Sequence, residues 1–175
     1  IGILYGITGT LNMADLAVKI TRVENTGLVS VTALLFFAGF GIKSAVFPLY
    51  FWLPSSYHTP PSAIAAIFGG LLTKMGIYAM IRIFTLIFKP DEFILNVFIG
   101  IAIMTMITGA LGTINKRSIR RMMSYLIVCH IGYLIAGMGL YTELAFVGLI
   151  FYLIHDMIIK SNLFMITGLI QKIRE

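Results

Sequence analysis

The stretch PSAIAAIFGGLLTKMGIYAMIRIFTLIF, residues 61–88, decides how the rest of the chain is read. It stays apolar for longer than the roughly 20 residues an α-helix needs to cross a bilayer core of about 30 Å. Lys74 lies about 13 residues into the run, roughly 20 Å along a helix rising about 1.5 Å per residue, which is near its middle. A lysine at that depth costs about 2.5–3.5 kcal/mol on translocon scales, so a spanning helix that keeps one marks a functional site by default.

The same pattern recurs on both sides. Residues 1–11 read as the tail of a spanning helix, and whole spans are expected at about 27–52, 93–114, 119–140 and 144–170 beside 61–88. The segment NMADLAVKITRVENT, residues 12–26, carries Asp15, Lys19, Arg22 and Glu24 and suits a short amphipathic surface element. The expected fold class is therefore all-α, a polytopic transmembrane bundle forming one domain over 1–175. Composition agrees: 59% of the 175 residues are hydrophobic and 11% charged, against about half and about a quarter in a soluble domain. The chain opens inside an apolar stretch, IGILYG, with neither Met nor signal peptide, and both ends are expected to be truncated.

Thirteen Lys and Arg against seven Asp and Glu do not imply nucleic acid, because no basic stripe with interleaved aromatics occupies a polar face. Most charges sit between the apolar runs. Lys116, Arg117, Arg120 and Arg121 in NKRSIRR, and Lys172 and Arg174 at the C-terminus, place those segments on the cytoplasmic side. Alternation then puts KPDE, YTE and residues 12–26 outside. Trp52 and Tyr57, in the loop FWLPSSYHTPPS, fit an interfacial belt.

Lys43 also lies within an apolar run. Pro48, five residues on, removes a helix hydrogen bond and is expected to break the helix, and broken helices in membranes line cavities. For each lysine the alternative is snorkelling, which is least feasible at Lys74. In YLIHDMIIKSNLF, residues 152–164, Asp156 and Lys160 stand four apart, share a helix face and can pair, while His155 points about 100° away. Such a pair either serves only its own neutrality or belongs, with a neighbouring histidine, to a proton relay. His130, in SYLIVCHIGY, reads equally as a neutral histidine bonded to a neighbouring helix. His58 suits turn packing, Cys129 a small hydrophobe, and Gly69, Gly70 and Gly76 close helix packing. No metal-ligand spacing, nucleophile elbow or dinucleotide fingerprint is present, so neither a cofactor nor a metal is expected.

Three ordered motifs, GIKSAVFPLYFWLP (41–54), PPSAIAAIFGGLLTKMGIYAMIR (60–82) and IRRMMSYLIVCHIGY (119–133), carry a family resemblance over essentially all of the chain. It resembles the proton-pumping antiporter-like subunits of multisubunit cation/proton antiporters, respiratory NADH-quinone oxidoreductase and membrane-bound hydrogenases. That resemblance implies a fourteen-helix fold with inverted repeats, of which this chain is a part. It also implies a proton route on which Lys43 is the central lysine of a glutamate-lysine pair, Lys74 relays onward, and Lys160 and Asp156 continue the axis. GTLNMADLA, WLPSSYHTPPSA and YLIHDMIIKSNLF are most similar to the D-type branch of the sodium(potassium)/proton antiporters. Ser55 and Ser56 stand where respiratory subunits more often carry Asp-Ala, and Asp156 where they tend to carry His. The function implied is exchange of sodium or potassium for protons, as one subunit of a hetero-oligomer in the bacterial plasma membrane. A proton-pumping module of a redox complex and a non-transporting scaffold are the alternatives.

Overall fold

The computed structural model describes residues 1–23 and 25–174, without the side chain of Arg174; Glu24 and Glu175 lie outside the described residues. The described residues form helices and the turns between them. Helix α1 (Gly2–Thr8) precedes α2 (Met13–Lys19), which continues as a 3-10 turn over Ile20–Arg22. Asn12 starts α2 by accepting a hydrogen bond from Ala14 N–H, which satisfies one of the donors a helix leaves free at its start. Asp15 and Lys19 pair on its exposed side at 2.9 Å, and the Lys19 hydrogen bond holds the Asp15 carboxyl below the usual carboxylate range.

Helix α3 (Thr26–Ser44) ends well short of the expected residue 52. Ala45 takes a left-handed conformation, φ 61°, and Val46 N–H reaches back to Gly41 O at 2.9 Å while Ala45 N–H reaches Ile42 O at 3.2 Å. This pairing closes a helix by satisfying carbonyls that have no further turn to bond. The break expected at Pro48 thus begins at Ala45, and Pro48 lies beyond the helix. Hydropathy runs on to Trp52, but it reports burial in an apolar medium, not chain direction. The non-helical stretch is anchored: Phe47 N–H donates to Thr105 Oγ1 at 3.1 Å, and Trp52 Nε1 donates to Ile42 O at 2.9 Å.

After α4 (Trp52–Ser56), the turn brings His58 Nδ1 to 2.7 Å from Pro54 O. Tyr57, expected in an interfacial belt, is instead buried, its ring packed against those of Trp52 and Phe68. The stretch that opened the reading forms α5 (Ser62–Ile67), a π turn (Phe68–Leu72) and α6 (Thr73–Leu86), continuous enough to span as Ser62–Leu86. Then come α7 (Glu92–Ile114), α8 (Ile119–Leu140) and α9 (Glu143–Arg174). With α3, five segments are long and apolar enough to cross a membrane. The 32 residues of α9 reach about 48 Å at about 1.5 Å per residue, so the helix tilts or extends past the hydrocarbon core.

α7 and α8 form a tight hairpin, and a Cβ added at Gly109 would run into the Cys129 backbone. α3 packs on α6, α9 on α5 and the π turn, and α8 on α9. Phe37, Phe84 and Phe98 join α3, α6 and α7, with Phe37 stacked on Phe98 at 4.5 Å and Phe84 edge-on to it at 4.9 Å. Arg120 Nη1 donates to Pro60 O at 3.2 Å and Tyr141 OH to Phe84 O at 3.0 Å. Each bond joins two regions that alternation assigns to one side. Large apolar side chains such as Leu144, Val147 and Phe151 face outward, as they do where the solvent is lipid.

Candidate functional site

Lys74 enters the interior one residue past the start of α6, immediately after the π turn. Wider turns of this kind displace a carbonyl from the regular helical ladder and recur at functional sites. Here the Lys74 ammonium takes up the Gly69 carbonyl, donating to it at 2.8 Å. Gly70 lets α9 come close: a Cβ there would collide with Ser161 Oγ, whose hydroxyl donates to Met157 O at 2.9 Å. That contact sets the register of α9 so that Asp156 and Lys160 face Lys74.

Asp156 is the hub. Its Oδ2 lies 2.8 Å from Lys74 Nζ, while its Oδ1 lies 2.9 Å from His130 Nδ1 and 3.8 Å from Lys160 Nζ. Lys74, Asp156 and Lys160 are 2%, 1% and 1% exposed. The carboxylate oxygens are held by charged neighbours at contact distance, without aligned hydrogen bonds. Asp156 and Lys160 do share a face, yet the shorter contact of Asp156 is with Lys74 on another helix.

Two lysines share one carboxylate. At an effective dielectric of about 20, unit charges about 4 Å apart attract by about 4 kcal/mol. That exceeds the roughly 2.5–3.5 kcal/mol of holding one lysine at mid-membrane. One carboxylate can therefore compensate one lysine at a time, and the second holds its proton against the repulsion of the first.

His130, on α8, links its members. Its Nδ1 lies near Asp156, its Nε2 is 3.4 Å from Lys160 Nζ, and Tyr152 OH is 2.7 Å from the same Nδ1. The ring stacks on Tyr152 with centroids 5.7 Å apart. Sequence reasoning alone gives His130 a packing role as readily as any other and does not single out Tyr152. The signal is nonetheless present: Tyr152, Asp156 and Lys160 stand at i, i+4 and i+8, which is one helix face.

The remaining expected residues lie elsewhere. Lys43 is exposed in the last turn of α3 and has no ion-pair or hydrogen-bond partner among the described residues. It lines an open cavity of about 490 Å³ with Thr32, Phe36 and Phe40. Its neighbour Ser44 is buried against Gly76, where a Cβ would strike Ser44 Oγ, so α3 meets α6 between Lys43 and Lys74. His155 is exposed on α9, its ring stacked on Phe151 and tilted against Tyr152 at 6.3 Å.

Relatives carry the same segment. The D subunit of the Na(+)/H(+) antiporter of Alkalihalophilus pseudofirmus is 50% identical over 171 residues, 97% of this chain and 35% of that protein. Its counterpart of the same name in Bacillus subtilis is 47% identical over 169 residues, 96% of this chain and 34% of that protein. Among solved structures, the Mrp complex from Dietzia sp. contains a chain matching with TM-score 0.86 at 38% identity, over 95% of this chain and 31% of that one. A membrane-bound sulfane sulfur reductase, an archaeal respiratory membrane complex, matches with TM-score 0.88 at 29% identity, over 95% and 34%. The chain thus spans about a third of the length of the relatives it matches. The family described as NADH:quinone oxidoreductase/Mrp antiporter, transmembrane, matches residues 1–175 throughout, and the chain, with its apolar helices and buried charges, belongs to that family.

Proposed function

We propose that this chain is the ion-translocating core of a D-type subunit of a multisubunit antiporter, exchanging sodium or potassium for protons across the cell membrane. The observation that carries the reading is Asp156, buried between Lys74 and Lys160 and joined to Lys160 a second way through His130. Protons pass among Lys160, His130, Asp156 and Lys74 because each is a donor or acceptor within reach of the next, in a medium that strengthens every charge displacement. Lys43 stands at the cavity on the other side of the α3–α6 contact, where a proton enters or leaves this segment. His155, on the exposed face, lies off the line. The partners are the other subunits of a hetero-oligomer and membrane lipid; the relatives named for sodium/proton antiport support this reading.

Exchange in everted vesicles from an antiporter-deficient strain, expressing the whole complex, tests it. Lys74→Ala in an assembled complex is expected to cut sodium-dependent proton movement roughly hundredfold or more, the scale lost when a positioned proton donor is removed. Full exchange would refute the relay role of Lys74. The likeness to a respiratory membrane complex favours a second reading, a proton-pumping module driven by redox partners. Proton movement on adding an electron donor, with none on adding sodium to the wild type, would select it.

A further inference from the structure

His130 Nδ1 has two neighbours of different hydrogen-bonding character. Asp156 Oδ1 lies 2.9 Å away without an aligned hydrogen bond, and while ionised it accepts only, so a bond formed by a small turn of the ring needs a proton on Nδ1. Tyr152 OH, at 2.7 Å, accepts from a protonated Nδ1 or donates to a bare one, and it is the neighbour able to donate to Nδ1 when that nitrogen carries no proton. On the far side of the ring, Nε2 faces the Lys160 ammonium at 3.4 Å, a donor with no acceptor capacity while charged. Other ionisable groups nearby are Tyr133 on its own helix, edge-on at 6.1 Å, Cys129 beside it in the chain and near Lys160, His155, whose ring is 6.3 Å from that of Tyr152, and Lys74, which meets Asp156.

Resting on the relay reading above, we propose that Tyr152 is a positioning residue that selects between two tautomers of His130, and thereby latches the ring after a proton has passed. In the first state Nδ1–H donates to Asp156 and bare Nε2 accepts from Lys160. Lys160 Nζ then gives its proton to Nε2: one N–H bond breaks, another forms, and the ring becomes a cation beside a neutral amine. The Nδ1–H bond breaks next as its proton moves to Asp156 Oδ1, which leaves a neutral carboxylic acid and a bare Nδ1. Tyr152 OH turns to donate to that nitrogen and holds the ring in the Nε2–H tautomer. The net result is one proton moved from Lys160 to Asp156, adjacent to Lys74, with no electron transferred. The ring returns to its first state by rotation or by the reverse transfer, and either requires Tyr152 to let go.

Tyr152→Phe removes the hydroxyl and keeps the stacked ring, so it separates the latch from packing. The test uses the assembled complex with the full-length protein, ¹⁵N-labelled at histidine, in lipid. Ring-nitrogen spectra report the tautomer, with His130 identified by the signals lost in His130→Gln. The wild type is expected to show a population with bare Nδ1, and Tyr152→Phe to reduce its ratio to the Nδ1–H form roughly five- to tenfold, the weight of one hydrogen bond. A tautomer ratio unchanged by Tyr152→Phe overturns the proposal. So does a wild-type His130 protonated at Nδ1 throughout, a result that needs no variant. In vesicles, Tyr152→Phe should slow exchange with the half-saturating sodium concentration unchanged. A shifted tautomer together with full exchange in His130→Gln leaves Tyr152 as the group that sets the ring's tautomer but overturns the latch as a transport step, along with the relay through His130.

Discussion

Asp15 with Lys19, and Asp156 with Lys74, are ion pairs of nearly equal length, 2.9 and 2.8 Å. The first sits on α2 with side chains 44% and 43% exposed; the second is 1% and 2% exposed in the middle of the bundle. Water already solvates both members of the surface pair, so contact between them replaces interactions of similar strength and contributes little. In the bundle no such exchange is available, and each charge depends on the other for its solvation. Distance is shared by the two pairs; the surrounding medium sets their consequence. The surface pair is also local, four residues apart on one helix turn, whereas the buried pair joins α6 to α9.

The largest effect expected from this contrast is at Asp156. Asp156→Ala leaves two buried lysines without their carboxylate, and breaking a buried pair by removing one partner costs about 3–5 kcal/mol. Thermal unfolding of the purified complex should show that loss, with exchange abolished. Adding Lys74→Met in the same chain should recover part of the stability and none of the exchange, because it removes the stranded charge without restoring a relay. A double variant no more stable than Asp156→Ala would mean that the two residues are not coupled.

Lys43→Arg comes next and sharpens the comparison at an exposed lysine. Its unfolding midpoint should stay near the wild-type value, since Arg keeps both the positive charge and a long apolar stem at that position. Exchange should still fall about tenfold, because a guanidinium does not release its proton in the working range. Wild-type exchange would assign Lys43 a fixed charge only.

The smallest effect belongs to the surface pair. Asp15→Asn should leave both exchange and the unfolding midpoint at pH 7 unchanged. The sign of its pH dependence follows from a carboxyl held below its unfolded value. Whatever the pair contributes is present above about pH 4, the ordinary Asp value, and disappears as the pH falls through the lower folded value. An unfolding titration of wild type against Asp15→Asn over that acid range checks it. A large loss in exchange on Asp15→Asn would show that α2 belongs to the transport path.

Some of this was legible in the chain. Apolar runs interrupted by polar loops mark where helices cross, because an unsatisfied backbone group in hydrocarbon costs several kcal/mol and a helix is the local way to satisfy all of them. The depth of Lys74 and the i, i+4 spacing of Asp156 and Lys160 follow from the helical rise alone. The end of α3 did not follow, since a left-handed Ala45 is a local backbone choice that apolar residues conceal. Nor did the burial of Tyr57, which depends on its ring meeting those of Trp52 and Phe68.

The sequence by itself determined that this chain is an all-helical membrane segment with ionisable side chains kept where they are expensive. That much rests on properties each residue has alone: its transfer free energy and its position along a helix. Only the tertiary structure decided that Lys74 pairs with Asp156, that His130 connects Asp156 to Lys160, and that Lys43 and His155 stand apart from them. Charge compensation in a low-dielectric interior acts between neighbours in space. Here the neighbours lie on α6, α8 and α9, brought together by the close approach that Gly70 permits, and no spacing along the chain encodes that meeting.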